Sequence, residues 1–229
     1  MEPQTSNPRD IPRATDPTQS HCYSESPPEV FRIRTARYLQ DGIKYPPVEA
    51  MFELVGMEAR LVPRASAPAP AGVLATRRSL VVRFVCPGDP DDVHLVVHWV
   101  ERETGDHAWR ATVDRLIEGD DDEWRRRRLK VLPVCSVGPW LIRKAVHRPA
   151  LIALRLATTF RRSPGGLEVT VDIGSSVVAC QIKRLVVGAL SSLVLDLGFT
   201  LEGVDESELP ERLLGGCRLQ RLCVDRLMR

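Results

Sequence analysis

The chain lacks a marked charge of either sign: 32 Lys and Arg stand against 30 Asp and Glu, a formal +2 over 229 residues. A protein that binds nucleic acid through its overall field carries a stronger bias, so a nucleic-acid partner is disfavoured and only a local patch could meet phosphates. The six cysteines (Cys22, Cys86, Cys135, Cys180, Cys217, Cys223) contain no CxxC pair, and several sit in apolar patterns where a thiol behaves as a small hydrophobe. This spacing favours a reduced, intracellular protein with free thiols. The first 28 residues have no apolar central region and so no signal-peptide pattern. A long uncharged apolar run is also missing. The best candidate, Leu185 to Leu195, is closed by Lys183 and Arg184 before it and Asp196 after it. As a helix it covers roughly 16 Å, about half of a ~30 Å hydrocarbon core, which excludes a span.

Catalytic signatures are missing too. There is no GxSxG, HExxH, GxxxxGK[ST] or GxGxxG, and Gly165-Gly166 reads as a hairpin turn. His94 and His98 form HLVVH, but the segment is β-branched and reads as a strand, which holds the two imidazoles about 13 Å apart, too far for one metal. His21, His107 and His147 have no Cys or acid at ligand spacing, and Asp120 to Glu123 lack the alternation of a calcium loop. Asp172 and Glu202 have no base–nucleophile pair beside them. The expectation is a non-enzyme with no metal and no cofactor.

What is present is a core: 43% of the residues are hydrophobic, enough for one large domain. Residues 1–28, rich in Pro, Ser, Thr and Asp, read as a disordered lead-in, and 29–229 as a single domain. VFRIRTARYL predicts a short strand with a turn at 40–44, and VEAMFELVGMEARLV a strand or an amphipathic helix. PRASAPAPAG, residues 63–72, is a surface loop that cannot hold a helix. LVVRFVC and VHLVVHWV, joined by PGDPDD, predict an antiparallel hairpin, and residues 106–118 a short helix. LKVLPVCSVG, WLIRKAV, ALIALRLATTF and LEVTVDIG read as further strands, the last entered through a turn at 161–166. Strands in succession with the long helix last imply an α+β plan, an antiparallel sheet packed around one C-terminal helix.

That helix is read over Val177–Leu201, capped by Ser175 or Ser176. Steps of 100° gather Leu185, Ala189, Ile182, Leu193, Val186, Leu197, Leu190, Val194 and Val187 into an arc of about 200°. Gly188 implies close approach of another element or a ligand, and Asp196, at the arc's edge, needs a cation or donors. Leu185, Gly188, Ala189, Leu193 and Asp196 are therefore the candidate lining of a cavity. The surface signal is Trp124-Arg125-Arg126-Arg127-Arg128-Leu129-Lys130. On a strand, Arg126, Arg128 and Lys130 share one side, and with Trp124 they form a candidate site for anionic headgroups, at ~1 kcal/mol per cation.

VDIGSSVVACQIKRLVVGALSSLVLDLGFTLEG followed by ELPERLLGGCRL closely resembles the C-terminal domain of the plant Enhanced Disease Resistance Two proteins. GDDDEWRRRRLKVLP, GPWLIRKAV and FRIRTARYLQDGIKYPPVEAMFELVGME are similar to further pieces of that domain, so the resemblance runs from Glu29 to Asp225. It implies a domain without an established enzymatic activity, one that in plants commonly follows pleckstrin-homology and lipid-transfer (START) domains in membrane-linked proteins. The chain departs from that layout in having no room for either upstream domain, in its PRASAPAPAG spacer, and in HRP at 147–149 where the family usually has a glycine. The expected architecture is thus α+β with a START-like helix grip. The expected function is a regulatory module that binds lipid or an anionic membrane surface, cytoplasmic or peripheral on intracellular membranes. The alternative is a protein-interaction scaffold with a solid core and a protein partner.

Overall fold

The computed structural model describes residues 9–64, 66, 77–103 and 109–223. In chain order the strands are β1 (Arg9–Asp10), β2 (Cys22–Glu25), β3 (Ile33–Arg34), β4 (Lys44–Tyr45), β5 (Phe52–Pro63), β6 (Ser79–Cys86), β7 (Asp91–Glu101), β8 (Leu129–Val137), β9 (Ala150–Leu151), β10 (Ala157–Ser163), β11 (Gly166–Asp172), β12 (Val194–Leu201) and β13 (Leu213–Gln220). The helices are α1 (Tyr38–Asp41), α2 (Arg110–Ile117), α3 (Asp122–Arg128), α4 (Trp140–Val146), α5 (Ile152–Arg155) and α6 (Val177–Ala189).

The plan is α+β, with mostly antiparallel sheets and several helices. One sheet has the order β1-β5-β7-β6-β11-β10, antiparallel except where β11 joins β6 in parallel; the other runs β2-β13-β12-β8-β9. β3 and β4 pair by themselves. The PGDPDD turn closes the β6–β7 hairpin and the 161–166 turn the β10–β11 hairpin, as their Pro, Gly and Asp content requires. Strict alternation along β11 puts Leu167, Val169 and Val171 into the core and turns Glu168 to the opposite face. The two sheets share one core, in which Trp99 of β7 meets Phe199 of β12 edge-on, ring centroids 5.5 Å apart. Gly215 of β13 is needed there, because a Cβ would stand 2.7 Å from Trp99 Nε1.

Several expectations are corrected. There is no single C-terminal helix running to Leu201. α6 starts at the Ser176 cap, whose side chain accepts from Ala179 N at 3.3 Å, but it ends at Ala189, and Val194–Leu201 forms the strand β12 in the middle of the second sheet. The apolar run 193–201 satisfies a helical arc and a buried strand equally well; Phe199 and Thr200, with flanking strands on both sides, decide it. WLIRKAV is the helix α4, and ALIALRLATTF divides into β9, α5 and the start of β10. From Arg9 the expected lead-in is built into the fold: β1 pairs with β5 and β2 with β13. Residues 1–8 of that lead-in, residues 65 and 67–72 of the Pro/Ala loop, and 106–108 of the predicted helix lie outside the described residues.

On the second face of the first sheet, Arg83 reaches Glu168 at 2.8 Å and its Nη1 lies 3.4 Å from Nδ1 of buried His94. Burial first, and then the neighbouring Arg83 charge, lower the His94 pKa from 6.5 to about 4. Because the folded value is the lower one, stability is complete above pH 6.5 and falls as the pH drops to about 4, where the unfolded chain binds a proton that the folded one excludes. The full difference is about 3 kcal/mol. Urea titrations at pH 7 and pH 4.5 should show this loss, reduced in His94→Gln relative to the unaltered protein.

Candidate functional site

A cavity of about 460 Å³ opens between the two sheets and three helices. From the first sheet come Phe84, Cys86 and Leu95, and from the second Val131, Leu195 and Leu197. Val146 of α4 and Ile152 of α5 close one side, while Ile182, Val186 and Leu190, four residues apart along and just beyond α6, close another. The wall is almost wholly apolar. Its cations are Arg148 and Arg155, both exposed, and Lys183, whose Nζ donates to Pro87 O at 2.7 Å. Interiors pack with few voids larger than a water, and a space of this size falls in the range of ligand pockets, which makes it the candidate site. Cys86 in the wall is held as the neutral thiol, its pKa pushed up to about 11 by burial.

The structure places the expected lining elsewhere. None of Leu185, Gly188, Ala189, Leu193 and Asp196 lines this cavity. Leu185 is 44% exposed, and a Cβ on Gly188 would meet nothing within 4 Å, so this glycine marks no close approach. Ala189 packs against the core and Leu193 is fully buried in it. On β12 the period of two sends Leu195 and Leu197 to the cavity and Asp196 to the opposite face. There Asp196, fully buried, accepts from Ser26 Oγ (2.7 Å), Ser136 Oγ (2.5 Å), and Arg218 Nε and Nη2 (2.8 and 3.1 Å). The cation and donors it needs are present, and they are structural.

The basic run is not a strand face. Asp121 caps α3 by accepting from Trp124 N at 2.8 Å, so 122–128 are helical and only Lys130 is in a strand. Trp124 is buried under the Arg115 guanidinium, 4.4 Å from its ring centroid. Arg126 donates to Thr158 O at 2.8 Å and Arg128 pairs with Glu208 at 3.2 Å. Lys130 is buried between Glu211 at 2.5 Å and Glu202 at 3.3 Å. Arg125, fully buried, donates to Leu116 O at 2.8 Å and to Gly119 O, fastening α3 to the end of α2. The candidate headgroup residues thus hold the fold together, and they are not gathered on one exposed side. His94 and His98 lie on β7 as expected of a strand, one facing Arg83 and the other Glu58. Among the described residues no three His, Cys, Asp or Glu side chains converge as metal ligands, and no helix is long and apolar enough to cross a membrane.

A family model described as "Protein ENHANCED DISEASE RESISTANCE 2, C-terminal" matches residues 23–222. A curated relative from Arabidopsis thaliana, "Protein ENHANCED DISEASE RESISTANCE 2-like", is 30% identical over 211 residues, which are 88% of this chain and 29% of the relative. The chain therefore spans less than a third of that relative's length. No solved structure matches.

Proposed function

Since this chain belongs to the ENHANCED DISEASE RESISTANCE 2 C-terminal family, we propose that it is a non-enzymatic regulatory module that holds a lipid by its acyl portion in the cavity between the two sheets and α4, α5 and α6. One observation carries the reading: about 460 Å³ of space lined by Phe84, Leu95, Val131, Leu195, Leu197 and Ile182 and rimmed by Arg148 and Arg155. Apolar walls favour transfer of an acyl chain out of water at roughly 0.8 kcal/mol per buried CH₂, and the two arginines suit an acidic head. The single thiol of the wall is protonated and has no nucleophile's chemistry. A scaffold with a solid core, the other reading of the sequence, has less support, because the core is not solid.

Native mass spectrometry of the gently purified protein should show added mass that extracts into organic solvent as lipid. Ile182→Trp, on a helix position that is only half-buried, puts an indole ring into the cavity and should sharply reduce that mass while leaving the melting temperature within a few degrees. Absence of any lipid mass, together with no uptake of a fluorescent fatty-acid probe, overturns the proposal.

A further inference from the structure

We infer that the outer surface of α4, α5 and α6, around the mouth of the cavity, docks on an anionic lipid bilayer; this rests on the reading of the cavity as a lipid site. The three helices expose apolar side chains that a water-facing surface does not use. Trp140 is 71% exposed and Leu141 56% on α4, Leu154 57% on α5, and Val177 76%, Val178 64% and Leu185 44% on α6. Scattered exposed apolar residues need no explanation, but these lie on three elements bordering one cavity, and α6 buries none of its residues fully. A helix this apolar that covers a core turns a stripe inward to full burial, whereas α6 sets Ile182, Val186 and Ala189 against the core and leaves each of them only partly buried.

Charge selects the occupant. No Asp or Glu lies between Glu123 and Glu168 or between Asp172 and Asp196, so α4, α5 and α6 carry cations alone. On α4, Ile142 and Val146 point inward, and Arg143 and Lys144 share the exposed side with Trp140; Lys144 Nζ sits 5.1 Å from the Trp140 ring centroid. Exposed Arg148, Arg155 and Arg184 add to the same group of helices. None of Arg143, Arg148, Arg155 and Arg184 forms an ion pair with a described residue, in contrast to the fully engaged run at 125–130. Trp and Leu interleaved with Lys and Arg, without acids, is the composition of an interfacial segment at an anionic leaflet. A protein partner would have to offer an acidic and apolar surface of matching shape, whereas a bilayer offers both at once and is also where the ligand of an apolar cavity resides. Arg148 and Arg155, which line the cavity and are exposed, put its mouth at that surface.

The test is flotation of the full chain with vesicles of phosphatidylcholine alone or of phosphatidylcholine mixed with phosphatidylserine. The unaltered protein should float with the mixed vesicles, much less with the neutral ones, and lose binding as salt is raised. Trp140→Ser with Leu141→Ser should reduce partitioning at least ten-fold. Neutralising Arg143, Lys144 and Arg184 to Gln should reduce it by about five-fold per cation. The Ile182→Trp variant, altered inside the cavity, should still float. Failure of the unaltered protein to float, or flotation indifferent to these substitutions, overturns the docking surface; so does a self-association that Trp140→Ser abolishes while vesicles are ignored. Flotation of the unaltered protein that carries no lipid mass and takes up no fatty-acid probe instead counts against the cavity reading alone.

Discussion

Replacing Asp196 by alanine is expected to cost about 3–5 kcal/mol, a large share of the 5–15 kcal/mol that holds a typical domain together. The carboxylate is fully buried on β12 and satisfies four donor atoms drawn from three separate strands or their flanks: Ser26 beyond β2, Ser136 of β8 and Arg218 of β13. Removing it leaves Ser26 Oγ without an acceptor in a region where that residue is only 3% exposed. It also leaves Arg218 without its bidentate partner, although that side chain, 21% exposed, can still reach water. The second circumstance puts the loss toward the lower end of the range. Asp196→Asn keeps the shape and one acceptor oxygen, and should cost less than the alanine change. Equilibrium urea denaturation followed by tryptophan fluorescence checks both: at an m-value of roughly 2–3 kcal/mol/M the midpoint should fall by about 1–2 M for Asp196→Ala. An unchanged midpoint would mean that the four donors find water in the folded state.

Asp196 also shows where the sequence is legible. A carboxylate amid Leu193, Val194, Leu195 and Leu197 has to find a cation and donors, and that requirement holds whether the backbone is a helix or a strand. The secondary structure does not follow. Apolar residues at nearly every position satisfy a helical arc and a doubly covered strand together, so periodicity carries no information there. The decisive facts, pairing with β8 on one side and β13 on the other, are non-local. Where alternation is interrupted by strong turn chemistry, as in the β6–β7 and β10–β11 hairpins, the pattern suffices. The cavity-facing side of α6 is an intermediate case. The existence of an apolar helix and its Ser176 cap are legible, and so is a cavity beside it. The face is not: Ile182, Val186 and Leu190 line the space, while Leu185 points away. An apolar stripe wider than one contact leaves its rotation to the packing of other elements. The basic run departs from a strand because its acidic prefix is not a loop: Asp121 is a cap, and Asp122 and Glu123 occupy the first turn of α3. The cation-only stretch from 124 to 167 is present in the sequence as a charge count, and it acquires meaning only once the helices stand around one cavity.

The second large effect is expected at Glu211, in ELPER, one of the motifs that marks the family. Its side chain is wholly buried. One oxygen accepts from Lys130 Nζ at 2.5 Å and from Gly203 N at 3.3 Å, and the other accepts from Arg34 N at 3.0 Å. Three stretches that resemble the family at the sequence level, around Arg34, Lys130 and Glu211, thus converge on one carboxylate. In Glu211→Ala, Lys130 keeps only Glu202, at 3.3 Å, while its own side chain is 5% exposed; two backbone N–H groups lose their acceptor as well. A buried charge left without its closest partner costs about 3–5 kcal/mol. Lys130→Met alone removes the cation and leaves a carboxylate still bonded to two amides and near the Arg34 guanidinium, at 3.7 Å, so it should cost less. The double variant Lys130→Met with Glu211→Ala should lose clearly less than the sum of its two single changes, because neither charge is then left buried without the other. Thermal and urea unfolding of the four proteins measure that coupling. Strictly additive losses would show that Lys130 and Glu211 act independently.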